Sequence, residues 1–202
     1  MKIVKVGSAD LDVAQAGSGR DLVLLHSLLT DRSAFDLVVP ELAKKRRVSL
    51  VNLPGYGASS PAGEDVESYA DRVAGLFEAL SLPRQTDVLG NGFGGFIAVA
   101  LAARHGTKFD RLIVADALAS FPEPAKVPLR NLAARVAREG MAGALDVAIQ
   151  RMFPETFVAA HPGIVAERKR ALERADPACF RSACLALARL DLAPVQIGRA
   201  HV

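Results

Sequence analysis

Short, unbroken apolar runs alternate with helix-like segments through the first part of the chain, and few folds accept that pattern. Residues 22–25, 47–52, 86–89 and 111–115 read as buried strands, and a hairpin over 2–6 and 11–16 leads into them. Between them, residues 31–45 read as a helix whose apolar side is Phe35, Leu37, Val38, Val39 and Leu42. Residues 65–80 carry Val66, Tyr69, Ala70, Val73, Leu76, Phe77 and Leu80 at helical spacing. Residues 93–105 form a helix rich in small side chains. Strands that are apolar throughout and alternate with helices predict a parallel sheet covered on both faces. Ligands of such sheets bind at the carboxyl ends of the strands, so the loops there are where chemistry is sought.

The texture changes after Asp116. Phe121-Pro122-Glu123-Pro124 is linker-like, and beyond it only helices are expected, over 129–139, 141–153, 162–175 and 177–190. This divides the chain into a core over 1–120 and a helical cap over 121–193 that lies across the strand ends. With 202 residues, half of them hydrophobic and 23% charged, a substantial core forms and disorder is excluded.

The net charge of +3 comes from a small excess of base spread along the chain. Lys44-Lys45-Arg46-Arg47 is the tight basic run, read as solvating a helix end, so no nucleic-acid partner is expected. Cys179 and Cys184 have neither the number nor the spacing of a disulfide framework or a zinc site, and read as free buried thiols. No metal or organic cofactor is expected. Lys2 and Lys5 interrupt the start of the chain, and the apolar run 96–103 is far shorter than the roughly 20 residues of a membrane span. A cytoplasmic protein without a membrane partner is therefore expected.

The sharpest local signal is Leu89-Gly90-Asn91-Gly92-Phe93-Gly94-Gly95, placed between a strand and a helix. A nucleophile elbow has the form G-x-S-x-G in that same context, and aligning Gly90 and Gly94 with its glycines puts Gly92 in the serine position. Two further pieces accompany it. His26-Ser27-Leu28-Leu29-Thr30, after the third strand, is similar to an oxyanion loop. Asn52-Leu53-Pro54-Gly55-Tyr56-Gly57-Ala58-Ser59, after the fourth, is similar to a D-x-P-G-x-G-x-S turn with Asn52 in place of Asp.

On these residues the sequence resembles the α/β-hydrolase family across essentially its whole length. The resemblance implies an α/β-hydrolase fold: a mostly parallel sheet with about six strands here, the family's last two missing, and a helical cap after the sixth. Arg138-Glu139-Gly140-Met141-Ala142-Gly143-Ala144-Leu145, Arg151-Met152-Phe153 and the stretch from Ala183 to Leu192 are similar to cap segments of 3-oxoadipate enol-lactonases, as Ser27-Leu28-Leu29-Thr30 is to their oxyanion loop. Another resemblance is to meta-cleavage-product hydrolases, whose elbow often carries Asn before the nucleophile, as Asn91 does here.

In the family mechanism a serine attacks an acyl carbon, a His takes its proton, an acid orients the His, and two backbone N–H groups hold the oxyanion. Carried onto this chain, the resemblance assigns the N–H groups of Leu28 and Phe93 to the oxyanion hole. It assigns Gly92, which has no side chain, to the nucleophile position. Ser27, Asn91 and Arg151 are the candidate substrate-binding residues, the substrate being a small carboxylate-bearing ester or lactone. Arg151 either grips a carboxylate bidentately or is a solvated helix arginine. Ser59 and Ser60 read as turn residues, and Asp116 as a polar strand end or an alternative acid. Gly92 and Asn52 are each one base change from Ser and Asp, so each is either a lesion or an inherited state.

The family's acid and His would follow a seventh and an eighth strand, before which the sequence stops, so the chain as written is expected to lack serine-type hydrolysis for want of the serine and of this pair. An alternative is a non-catalytic carboxylate-binding protein that uses the N–H groups of Phe93, Gly94 and Gly95 at a helix start. The last six residues, Ile197-Gly198-Arg199-Ala200-His201-Val202, resemble one reading frame of a common sequencing adapter. Residues 197–202 are thus expected to be a non-native tail, with the natural chain continuing past Gln196. The sixth strand is expected at an apolar sheet edge. The oligomeric state is left open.

Overall fold

The computed structural model describes residues 2–194; the expected tail at 197–202 lies outside the described residues. Six strands form one sheet: β1 (Lys2–Val6), β2 (Ala9–Ala16), β3 (Arg20–Leu25), β4 (Arg46–Val51), β5 (Asp87–Asn91) and β6 (Arg111–Ala115), in the order β1-β2-β4-β3-β5-β6. β3, β4, β5 and β6 run parallel, β2 pairs antiparallel with β4, and β1 pairs antiparallel with β2. β3 lies between β4 and β5, so the chain leaves β3 toward one side for β4 and returns to its other side for β5. That reversal is a topological switch point, where the loops after β3 and β5 open a crevice at the strand ends.

One face of the sheet is covered by α2 (Val66–Ala79) and α3 (Phe93–His105), which bury Tyr69, Val73, Phe77, Phe93, Ile97 and Leu101 against the strands. Asp65 starts α2 by accepting a hydrogen bond from the Ser68 N–H. The other face differs from expectation. The single helix expected over 31–45 is a 3-10 turn, Arg32–Phe35, followed by a four-residue helix α1, Val39–Leu42. Asp31 caps the turn by accepting from the Ser33 N–H, and Pro40 starts the second piece, so the two cannot merge. Phe35, Val39 and Leu42 cover Leu22, Leu24, Val48 and Leu50, whereas Leu37 is 94% exposed.

The basic run does not form a solvated helix end throughout. Arg46 and Arg47 lie in β4, where Arg46 pairs with Asp87 and the Arg47 Nε donates to Asp21 at 2.5 Å. Arg20 also reaches Asp87, at 2.6 Å.

The cap has five helices rather than four: α4 (Glu123–Glu139), α5 (Ala142–Met152), α6 (Glu155–Ala160), α7 (Pro162–Glu173) and α8 (Pro177–Arg189). The linker-like Phe121–Pro124 stretch is absorbed in part, since Pro124 occupies the first turn of α4, where a missing N–H costs nothing. α4 and α8 pack on each other, and α8 reaches α2. Ion pairs pin the cap to the strand-end loops: Arg174 to Asp31 at 3.3 Å, and Arg189 to Glu64 at 3.0 Å. Cys179 and Cys184 are buried and free, and burial pushes their thiols up to about 11 and about 12. Among the described residues no helix is long and apolar enough to cross a membrane.

Candidate active site

The carboxyl ends of β3 and β5 bring the two predicted loops together. At the end of β5 the chain turns sharply through Gly92, with φ +51° and ψ −116°, and α3 begins at Phe93. That backbone lies in the left-handed region that side chains disfavour, and it is held by the Gly92 N–H donating to the Ala115 carbonyl at 2.9 Å. The elbow stands close against β3. A Cβ on Gly94 would collide with the Leu25 carbonyl and lie 2.8 Å from the His26 carbonyl, so glycine alone permits this approach.

The loop after β3 is fixed by its carbonyls. The His26 carbonyl accepts from the Gly94 N–H at 3.0 Å. The Ser27 carbonyl accepts from His26 Nδ1 at 2.8 Å and from the Thr30 hydroxyl at 3.1 Å. The Leu28 carbonyl accepts from the Tyr56 hydroxyl at 2.7 Å. With those carbonyls tied back, the N–H groups of Leu28 and Phe93 have no partner among the described residues. The two loops that meet here thus each carry one amide open to a ligand, Leu28 on the first and Phe93 on the second.

His26 is fully buried and uses both ring nitrogens to hold this loop and the start of the next. Its Nε2 accepts from the Leu53 N–H at 3.0 Å, which leaves the proton on Nδ1, and its ring meets Tyr56 edge-on at 4.7 Å. Burial pushes its pKa down to about 4, and the Ser27 carbonyl and the Asp31 charge only partly oppose this. His105 pairs with Asp71 at 2.6 Å, and the His161 ring packs tilted against Phe157 at 4.4 Å, so both are engaged away from the elbow.

Below the oxyanion loop lies a buried polar network. The Asp12 carboxylate accepts from Arg32 at 2.6 Å and from Asn52 at 2.8 Å, and Asn52 Oδ1 accepts from the Arg32 N–H at 2.9 Å. Ser59 accepts from the Asp12 N–H and donates to the Asn52 carbonyl, as its reading as a turn residue implies.

Of the predicted site residues, Ser27, Leu28, Gly92 and Phe93 are brought together. Asn91 ends β5 half-buried, in register with Ala115. Arg151 is not joined to them: it is exposed in the last turn of α5, which packs on α4 and α7. The three-amide anion site expected at the helix start needs correction. The Gly94 N–H is spent on the His26 carbonyl and the Gly95 N–H on the Gly92 carbonyl, which leaves Phe93 alone of the three. The bond from Tyr56 to Leu28 and the joining of Asn52 to Asp12 and Arg32 are not legible in the sequence, although Tyr56 and Asn52 stand in the turn singled out there, because nothing local marks a contact between segments so far apart. The Gly-Tyr-Gly turn around Tyr56 was the available signal.

A family profile described as alpha/beta hydrolase fold matches residues 22–155. A 2-hydroxymuconate semialdehyde hydrolase from Pseudomonas sp. strain CF600 is 38% identical over 114 residues, covering 53% of this chain and 40% of that protein. A pimeloyl-[acyl-carrier protein] methyl ester esterase from Aeromonas hydrophila is 40% identical over 106 residues, covering 51% and 40%. The match thus spans about two-fifths of the length of these relatives. Among solved structures, the enol-lactonase from Burkholderia xenovorans LB400 superposes with a TM-score of 0.85 at 27% identity, over 96% of this chain and 76% of that one. The family match covers about two-thirds of the chain, and the chain belongs to the α/β-hydrolase fold family.

Proposed function

We propose that this chain comes from a lineage of hydrolases that open small, carboxylate-bearing esters or enol-lactones, and that as written it does not turn over through position 92. The carrying observation is the pair of unpartnered amides, Leu28 and Phe93, flanking a residue 92 that has no side chain. The amides supply charge stabilisation for a developing oxyanion, worth about 10²–10³ in rate for a single donor. Without a side chain at 92 the covalent route through that residue is closed, which in comparable systems costs about 10⁶-fold in turnover. The likeness to an enol-lactonase supports the lactone reading. Asn91 and the matched stretch of a 2-hydroxymuconate semialdehyde hydrolase support a second reading, cleavage of a carbon–carbon bond beside a carbonyl in a meta-cleavage product. A cytoplasmic location and a core at 1–120 with a cap at 121–193 form part of the same proposal.

The test compares the chain with Gly92→Ser, using fluorophosphonate labelling and p-nitrophenyl acetate. The variant is expected to take the label at residue 92, while steady ester turnover by the original chain stays at background. Labelling of Gly92→Ser no faster than that of the urea-unfolded chain would overturn the reading.

A further inference from the structure

The space left by the missing side chain at position 92 is not empty. A Cβ built on Gly92 would run into the Ser27 hydroxyl and lie 3.0 Å from the Ser27 Cβ. The hydroxyl of Ser27 therefore stands directly against the place that the first atom of a side chain at 92 would take. It is half-buried, and among the described residues its oxygen takes part in no hydrogen bond; the contacts of Ser27 with His26 and Thr30 are made by its carbonyl. Those contacts fix the backbone on both sides of the hydroxyl, so it is presented by a rigid loop. Ser27 also directly precedes Leu28, as Gly92 directly precedes Phe93. Each residue that reaches this spot is thus followed by one of the two unpartnered amides.

We propose that Ser27 is the acyl acceptor of this chain: its hydroxyl takes the place of the absent residue-92 nucleophile and is acylated in a single turnover by activated esters. The proposal rests on the hydrolase reading above and adds the residue that does the attacking. In the step, a lone pair of Ser27 Oγ forms the new bond to the acyl carbon. The bond from that carbon to the leaving oxygen breaks, with its electron pair departing on the leaving group. With p-nitrophenyl acetate the products are acetyl-Ser27, p-nitrophenolate and a proton released to water. Among the described residues no side chain hydrogen-bonds the Ser27 hydroxyl, and the neighbouring His26 spends both ring nitrogens on backbone groups of Ser27 and Leu53. The acceleration comes from the two amides that hold the oxyanion, and an oxyanion site without its triad still gives about 10³–10⁴-fold over water. Without a base to activate water, the acetyl group stays on the serine.

The experiment incubates the chain with p-nitrophenyl acetate and follows intact mass and peptide mapping. One acetyl group on the peptide containing Ser27 is expected, formed about 10²-fold or more faster than on the same peptide in urea. Ser27→Ala should lose the adduct while keeping its circular dichroism, because the hydroxyl it removes holds nothing in place. In Gly92→Ser the new side chain displaces the Ser27 hydroxyl, and the acetyl group should move to residue 92. Release of p-nitrophenol with no adduct, or an adduct that persists in Ser27→Ala, would overturn the proposal. If Gly92→Ser is labelled at 92 while the original chain gives nothing at 27, the assignment of Ser27 falls and the hydrolase reading stands. If neither is labelled, both fall.

Discussion

Asn52 Nδ2 donates to Asp12 Oδ2 at 2.8 Å, and both side chains are buried. The orientation of the amide is fixed, because its Oδ1 accepts from the Arg32 N–H. Asparagine at 52 therefore does something aspartate cannot, which is to offer a donor to a buried carboxylate. Asn52→Asp would set two carboxylates against each other away from water, and its expected cost is about 2–4 kcal/mol. Adding Asp12→Asn should recover part of the loss by restoring one donor and one acceptor. Urea unfolding of the two variants measures both effects, and a neutral Asn52→Asp would show that position 52 is not matched to Asp12.

His26 gives the fold a dependence on mild acid. Its folded pKa of about 4 lies below the ordinary 6.5, so between those values the unfolded chain binds a proton that the folded chain refuses. Stability is full above pH 6.5 and falls as the pH drops toward 4. At about 1.4 kcal/mol per unit of separation, roughly 3 kcal/mol is lost across that window. The carboxylates held low by their partners, such as Asp71 beside Arg104, act below it. Unfolding free energies at pH 7, 6 and 5 should therefore decline, and in His26→Gln the decline should vanish. An equal slope in the variant would place the effect elsewhere.

How much was legible in the sequence follows from how local each signal is. The central strands were readable because a strand buried on both faces must be apolar throughout, as residues 22–25 are. The elbow was readable because Gly90 and Gly94 mark positions where a side chain would meet neighbouring backbone. The segment 31–45 misled because its apolar residues have helical spacing without a surface to bury them, as the exposure of Leu37 and Val38 shows. The fates of the Gly94 amide and the Ser27 hydroxyl depend on two loops meeting across the switch point, and no single stretch of sequence records that encounter.

Gly94 carries a prediction of its own. A methyl group there would meet backbone atoms of Leu25 and His26 rather than the movable end of a side chain. The helix would have to retreat from β3, breaking the Gly94 N–H bond to the His26 carbonyl. Gly94→Ala should cost about 3 kcal/mol or more in thermal or urea unfolding. Gly106→Ala, with nothing near its Cβ and an ordinary backbone, should cost little. Similar costs for the two would mean that the close approach of α3 to β3 is not what position 94 protects.

β6 ends the sheet on one side, pairing with β5 and with no other strand among the described residues. Ile113 and Val114 point to opposite faces of the strand, and they are 48% and 39% exposed, so this edge is only partly covered, even though α3 packs on it and Leu112 packs against the core. An apolar strand with a free row of backbone donors and acceptors templates pairing with another chain. Light scattering should show an apparent mass that rises with protein concentration. Ile113→Lys places a charge on the edge without touching the buried side of β5, and should return the protein toward monomer at the same concentration. A monodisperse monomer before the substitution, or unchanged association after it, would mean that contacts other than this strand govern how the chains meet.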